Sequence, residues 1–305
     1  MKLVMTALAE GEPEVLDAQL AYHLHGGVDL VLVPEEAAAG EIGELLSWYE
    51  RQGAVRRVEL GGEGPADARR TRLARMAAAE HGAEWVLGVA AGEFWWPRGG
   101  SFEDVLGPIP SRYAIVQGLL RPFLYVDGTE PFHERMTTRG SLVDAPAPER
   151  PLTGLLRPVH RADADVSVRA DGTVAVTRGV PLRAWYPFEV FRLPPERAAA
   201  GREATATDGF VEDTRLRDTL RTLRDPAVEG PSRYTPAGGE RSQLAFPVPD
   251  LVDEAAYAVE CAAVGEVDLA RLEGEVAELE QRVAWLEERL WPRLLRLGSR
   301  VLRRT

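Results

Sequence analysis

The chain has 305 residues, a formal net charge of −12 and a single cysteine. That length suffices for one large domain plus an appendage, and the acidic balance argues against nucleic acid as a partner. Cys261 alone excludes an intrachain disulfide and a cysteine-rich metal site, so it reads as a buried side chain in a protein of the reducing cytoplasm. No apolar run approaches the ~18 residues of a membrane span. The opening MKLVMTALAEGEPE suits a first strand better than a signal peptide. Lys2 is the only lysine, which reflects base composition of the coding sequence rather than mechanism.

Taken in order, Lys2 to Leu8 reads as a strand. Pro13 to His25 reads as a helix with Val15, Leu16, Leu20 and Leu24 on one face, closed by Gly26-Gly27. Leu30 to Val33 is a second strand, Glu41 to Gln52 a second helix ending at Gly53, and Val55 to Leu60 a third strand. Ala66 to Glu80 forms a third helix, with Leu73, Met76 and Ala77 inward and Arg69, Arg70, Arg72 and Arg75 around the rest. The apolar run Trp85 to Ala90 follows as a buried strand that stops at Gly92. Strict alternation of strand and helix predicts a parallel sheet with right-handed crossovers.

From Ser101 the pattern changes. Ser101 to Asp104 predicts a capping box for a short helix, and Tyr113 to Val126 one or two strands. Asp127 to Arg150 reads as loop. The alternation Val166 to Val176 around Asp171-Gly172 is a hairpin signal, Ala184 to Leu193 a further strand, and Phe210 to Leu223 a helix. Asp225 to Asp250, rich in Pro, Gly and Ser, reads as an exposed linker.

The end of the chain differs in kind. Leu269, Leu272, Val276, Leu279, Val283, Leu286 and Leu290 take alternate spacings of three and four, the a and d positions of a heptad. This is either a short coiled coil or one helix packed on the main domain. Facing Asp268 with Glu273 and Glu275 with Glu280, against one attractive pair from Arg282 and Glu287, argues for an antiparallel or heterotypic partner. Beyond it, Arg289, Arg293, Arg296, Arg300, Arg303 and Arg304 interleave with apolar residues. Such a segment either lies on an anionic membrane surface or is a solvated helix end.

Function in an open α/β sheet gathers where a central strand ends, here at Ala90-Ala-Gly-Glu93-Phe-Trp-Trp-Pro97. This phrase, with VLDAQLAYHLHGGVDLVLV, RRTRLARMAAAEHGAEWVL, the run His160 to Asp163, PLRAWYPFEV and DGFVEDTRLRDTL, resembles family 2 glycosyltransferases of the bacterial branch over Met1 to about Leu223. The resemblance implies a Rossmann-like GT-A fold, mostly parallel, with a nucleotide-binding half over 1–98 and a smaller acceptor half over 99–223. A linker over 224–250 and a helical tail over 251–305 would follow. It further implies a sugar-nucleotide donor, Mg or Mn on its diphosphate, and an acidic base for the acceptor hydroxyl.

Such a metal needs oxygen ligands from one or two carboxylates plus the phosphates. Relatives carry them in an Asp-Ala-Asp-Glu-Phe-Trp phrase whose two aspartates fall on Ala90 and Gly92. Other polar site residues are altered at Glu10-Gly11-Glu12, at Glu35 to Gly40, at Asp171 to Thr173 and at Val190 to Leu193. Losing two carboxylates removes most protein-side attraction for a divalent ion, since unit charges ~4 Å apart interact by roughly 4 kcal/mol at an effective dielectric near ~20.

The resemblance leaves Glu93 and His160 as candidate catalytic groups, and Glu12, Arg70, Arg72 and Arg192 as candidate donor contacts. An arginine clamps phosphate without metal. Against these readings, Glu93 caps a turn, Glu12 starts a helix before Pro13, and Trp95 and Trp96 fill a seam rather than stack on a sugar. His23, His25, His81 and His133 read as structural. The expected function is therefore a glycosyltransferase-like protein of surface-glycan biosynthesis that needs no cofactor because metal-dependent transfer is lost. A binding or scaffolding role remains, with a protein partner on the heptad helix and a peripheral contact at the inner membrane face. The alternative is a metal-independent transferase, or one still using Mg or Mn with a sugar nucleotide.

Overall fold

The computed structural model describes residues 1–37, 40–61, 64–124, 130–140, 155–170, 172–182, 185–193, 210–225, 227–235 and 253–262, with single positions at 244, 246, 247, 249 and 281. The chain divides into a compact unit Met1–Cys261 and a second unit Ala262–Thr305. The heptad leucines and the arginine tail lie outside the described residues.

Strands β1 (Leu3–Ala7), β2 (Leu30–Pro34), β3 (Val55–Val58) and β4 (Trp85–Val89) alternate with helices α1 (Pro13–His25), α2 (Gly40–Arg51) and α3 (Ala66–Ala79). They pair in parallel in the order β3-β2-β1-β4. β1 is buried at every residue, as an inner strand covered on both faces must be. Pro13 opens α1, where its missing N–H costs nothing. α1 is not the one-faced helix its periodicity suggests. Leu16, Leu20 and Leu24 enter one core cluster while Ala18, Ala21 and Tyr22 enter another, so the helix is packed on two sides.

After β4 the chain turns at Gly92 into β5 (Glu93–Pro97), then α4 (Phe102–Leu106), β6 (Tyr113–Pro122), β7 (Thr138–Gly140) and β8 (Leu156–Arg161). Next come β9 (Ser167–Val168), β10 (Val174–Ala175), β11 (Val180–Pro181), β12 (Phe188–Arg192), β13 (Phe210–Glu212) and α5 (Arg215–Leu223). The main sheet has nine strands and runs β3-β2-β1-β4-β8-β6-β12-β5, with β11 beside β6. β8 is antiparallel to both β4 and β6, and β5 is antiparallel to β12, so the sheet is mixed.

The connection between β4 and β5 forces this sheet to curl. Three residues separate Val89 from Glu93, a reach of at most ~15 Å at ~3.8 Å per Cα step. Yet β8, β6 and β12 lie between the two strands in the sheet order, which would put them ~19 Å apart in a flat sheet. Only a curled sheet brings the far edge back to the end of β4. Leu193 N–H donates to Gly92 O at 2.9 Å, closing the curl.

Several sequence expectations change. Ser101 makes the capping box with Asp104 as predicted, and β9 and β10 form the predicted hairpin, though Asp171 lies outside the described residues. The stretch read as loop contains a 3-10 turn at Phe132–Arg135 and β7. Phe210 begins a strand paired with β7, and the helix starts only at Arg215.

The stretch read as an exposed linker carries buried Ser232, Tyr234 and Phe246. Asp17 of α1 holds it, accepting from Ser232 Oγ at 2.8 Å and Arg233 N–H at 2.7 Å. Tyr49 O–H donates to the same carboxylate at 2.8 Å. Helical residues 253–261 belong to the first unit, where the Tyr257 hydroxyl donates to Tyr186 O at 2.6 Å.

Candidate functional site

At the end of β4, on the sheet face that α3 and the β9–β10 hairpin cover, lies a cavity of about 300 Å³. α3 contributes Arg70 and Ala74, β8 contributes Arg157 and His160, and β12 contributes Arg192. Ala90 and Glu93 sit at the turn between β4 and β5, and the β9–β10 hairpin closes one side with Val168 and Val174.

The turn is fixed from behind. Gln19 Nε2 donates to Ala90 O at 2.7 Å and to Glu93 O at 2.8 Å. Glu93 is 1 % exposed and both its oxygens are engaged. Arg157 Nε–H donates to Oε1 at 2.7 Å, and the Ala90 N–H donates to Oε2 at 3.2 Å. Arg192 Nη1 lies 3.9 Å from Oε1. Glu93 thus caps its own turn and neutralises an arginine, which leaves it poorly placed to accept a proton from an acceptor hydroxyl or to ligate a metal.

Nothing acidic stands beside it at positions 90 and 92. Among the described residues, no group of three or more His, Cys, Asp or Glu is placed to hold a metal ion. Gly92 has φ +72°, and a Cβ there would sit 3.0 Å from Leu193 Cβ, so an aspartate at this position strains the turn as it is built.

His160 is 2 % exposed. Its Nδ1 lies 2.8 Å from Arg161 O; since a carbonyl only accepts, Nδ1 carries the proton and Nε2 is an acceptor. Burial lowers its pKa, against the opposing pull of the Arg161 carbonyl and Asp163, so the ring is neutral at pH 7.

Glu93, His160, Arg70 and Arg192 therefore line one cavity, whereas Glu12 and Arg72 do not. Glu12 is the exposed residue before α1, with no side-chain cap bond, and the Arg72 guanidinium is spent on the Leu60 carbonyl. Trp95 and Trp96 are buried in different clusters on opposite faces of β5, so they fill the seam. Arg157 is the member that sequence reasoning missed. It lies next to Pro158, and a proline argues against a central strand. The pairing of β8 with β4 ends at Val159 although β4 continues to Val89, so Pro158 and Arg157 sit where the two strands part and the cavity opens.

A second cavity, of about 840 Å³, is built around a buried ion network. Glu189 accepts from Arg98 Nη1 at 2.6 Å, Arg215 Nη1 at 2.8 Å and Arg121 Nε at 3.0 Å. Burial alone would raise the Glu189 pKa, but hydrogen bonds from Arg215 and the charges of Arg121, Arg215 and Arg98 hold it well below the carboxylate range. Asp213 binds Arg139 and Arg215, and Glu260 binds Arg121. The members of this network come from six separate stretches, and among so many arginines none carries a local signal.

No protein-family model matches the chain, and no curated protein matches it either.

Proposed function

We propose that the chain is a family 2 glycosyltransferase-like protein in which metal-dependent sugar transfer has been lost and binding or scaffolding retained. The observation that carries this reading is the state of Glu93, the one carboxylate at the end of β4, buried and held by Arg157. Such a site has no carboxylate to spare for a divalent ion or an incoming hydroxyl. Its guanidiniums remain as groups for an anion.

The test is thermal denaturation with Mn and a panel of sugar nucleotides. The melting temperature stays unchanged with every metal and donor pair, and a metal-dependent rise with any pair overturns the reading.

One observation favours a second reading, a metal-independent transferase. The neutral His160, with Nε2 as an acceptor, lines the same cavity as Arg70 and Arg192, the pairing of base and phosphate clamp that transfer without metal requires. Donor turnover that survives chelation and disappears in His160→Gln would establish it. Under either reading the C-terminal heptads recruit a protein partner and the arginine tail touches an anionic membrane. Among the described residues, no helix is long and apolar enough to cross one.

A further inference from the structure

The geometry points to the cavity at the end of β4 as a metal-free binding site for a phosphomonoester of monosaccharide size. This deepens the binding role proposed above and is independent of whether transfer was lost.

Charge is the first argument. Among the described residues, Arg70, Arg157 and Arg192 line the cavity against a single carboxylate, Glu93. With His160 neutral, the described lining residues carry two positive charges in excess, in a protein whose net charge is −12. A phosphomonoester carries about −1.5 to −2 at pH 7, which matches that excess without a metal.

Availability is the second. Arg157 is committed to Glu93. Arg70 is half-buried, and no hydrogen bond or ion pair engages it among the described residues. Arg192 touches Glu93 at only 3.9 Å and keeps a side chain 38 % exposed. A half-buried guanidinium without a partner gives up hydration and gains nothing until an anion arrives. Its planar fork suits the oxygens of a phosphate better than a point cation would.

The walls and the volume set the rest of the ligand. Val89, Val168, Ala170 and Val174 line the same cavity, offering apolar contact to a compact organic body. About 300 Å³ is the lower end of the ~300–1,000 Å³ that ligand pockets span. That space holds a phosphorylated monosaccharide.

Calorimetric titration of the full chain in EDTA tests this, with inorganic phosphate, glucose 6-phosphate and glucose 6-sulfate as probes. Both phosphates bind saturably, and the sulfate ester, a monoanion of the same shape, binds about tenfold more weakly because one charge-assisted contact weakens. Arg70→Ala and Arg192→Ala each reduce glucose 6-phosphate affinity by about tenfold or more.

A second measurement needs no variant. Phenylglyoxal labelling followed by peptide mapping finds Arg70 and Arg192 shielded by glucose 6-phosphate. No saturable binding of either phosphate, equal binding of the two esters, binding that survives the double substitution, or unshielded arginines overturns the inference. Failure here is distinguishable from failure of the preceding reading. A metal-dependent response to sugar nucleotides would overturn the loss of transfer alone, and absent phosphate binding overturns this site alone.

Discussion

His23 makes the protonation state of one side chain a condition for the fold. It is fully buried in α1, where its Nδ1–H donates to Gln19 O at 2.7 Å and its Nε2 accepts the Trp95 N–H at 3.2 Å. A proton on Nε2 would set two donors against each other at the strand that carries both tryptophans. Burial lowers the His23 pKa from 6.5 to about 4, despite the Gln19 carbonyl favouring the cation. The unfolded chain therefore takes up this proton first. Its contribution to stability is complete above pH 6.5 and is lost as pH falls towards 4. At 1.36 kcal/mol per unit the loss is about 3 kcal/mol. Urea denaturation of the wild type and of His23→Gln, at pH above ~6.5 and near ~4, should show the wild type losing more by about that amount. Equal pH dependence in the two proteins would remove His23 from the account. His81, His133 and His160 are lowered too, each chiefly by burial, so the variant keeps part of the slope.

At the scale of elements, what the sequence discloses is what local periodicity determines. The first four strands and three helices match their predicted spans to within one or two residues, because each has an apolar pattern of its own length and a glycine or proline to end it. β5 has no such pattern. Trp95 and Trp96 are both buried, one on each face, so alternation is invisible. β7 and β13 pair with each other from about 70 residues apart, and β7 also bridges Phe123. The same rule governs the cavity. Glu93, Arg70, Arg192 and His160 were legible because they stand on elements with clear signals or in a quoted phrase, whereas Arg157 stands on a strand that proline disguises. One glycine records how closely these elements meet. A Cβ at Gly118 of β6 would lie 2.8 Å from Val190 Cγ2 and 2.9 Å from the Trp95 ring. Gly118→Ala should therefore cost about 1–3 kcal/mol through overpacking, measured as a lower denaturation midpoint with an unchanged slope. A neutral outcome would mean that β12 and Trp95 can shift apart.

For the whole molecule, charge decides what the C-terminal arginines can do. The chain carries −12, and a body of that sign is repelled by anionic lipid. The six arginines from Arg289 to Arg304 have no acidic residue among them, and each basic residue near an anionic surface contributes about 1 kcal/mol. Six such terms, with Trp291, Leu294, Leu295 and Leu297 beside them for apolar contact, make this segment the part of the sequence that an anionic surface attracts. The proposed membrane contact should thus reside entirely in this segment. In co-sedimentation with phosphatidylserine vesicles, the full chain pellets, and the chain ended after Glu288 stays in solution. Raising the salt towards ~1 M, where the Debye length shrinks to about 3 Å, weakens the full chain's binding because its attraction is mainly electrostatic. Binding retained after truncation would place the contact on the acidic body, where the net charge gives no reason for it, and would end the proposal.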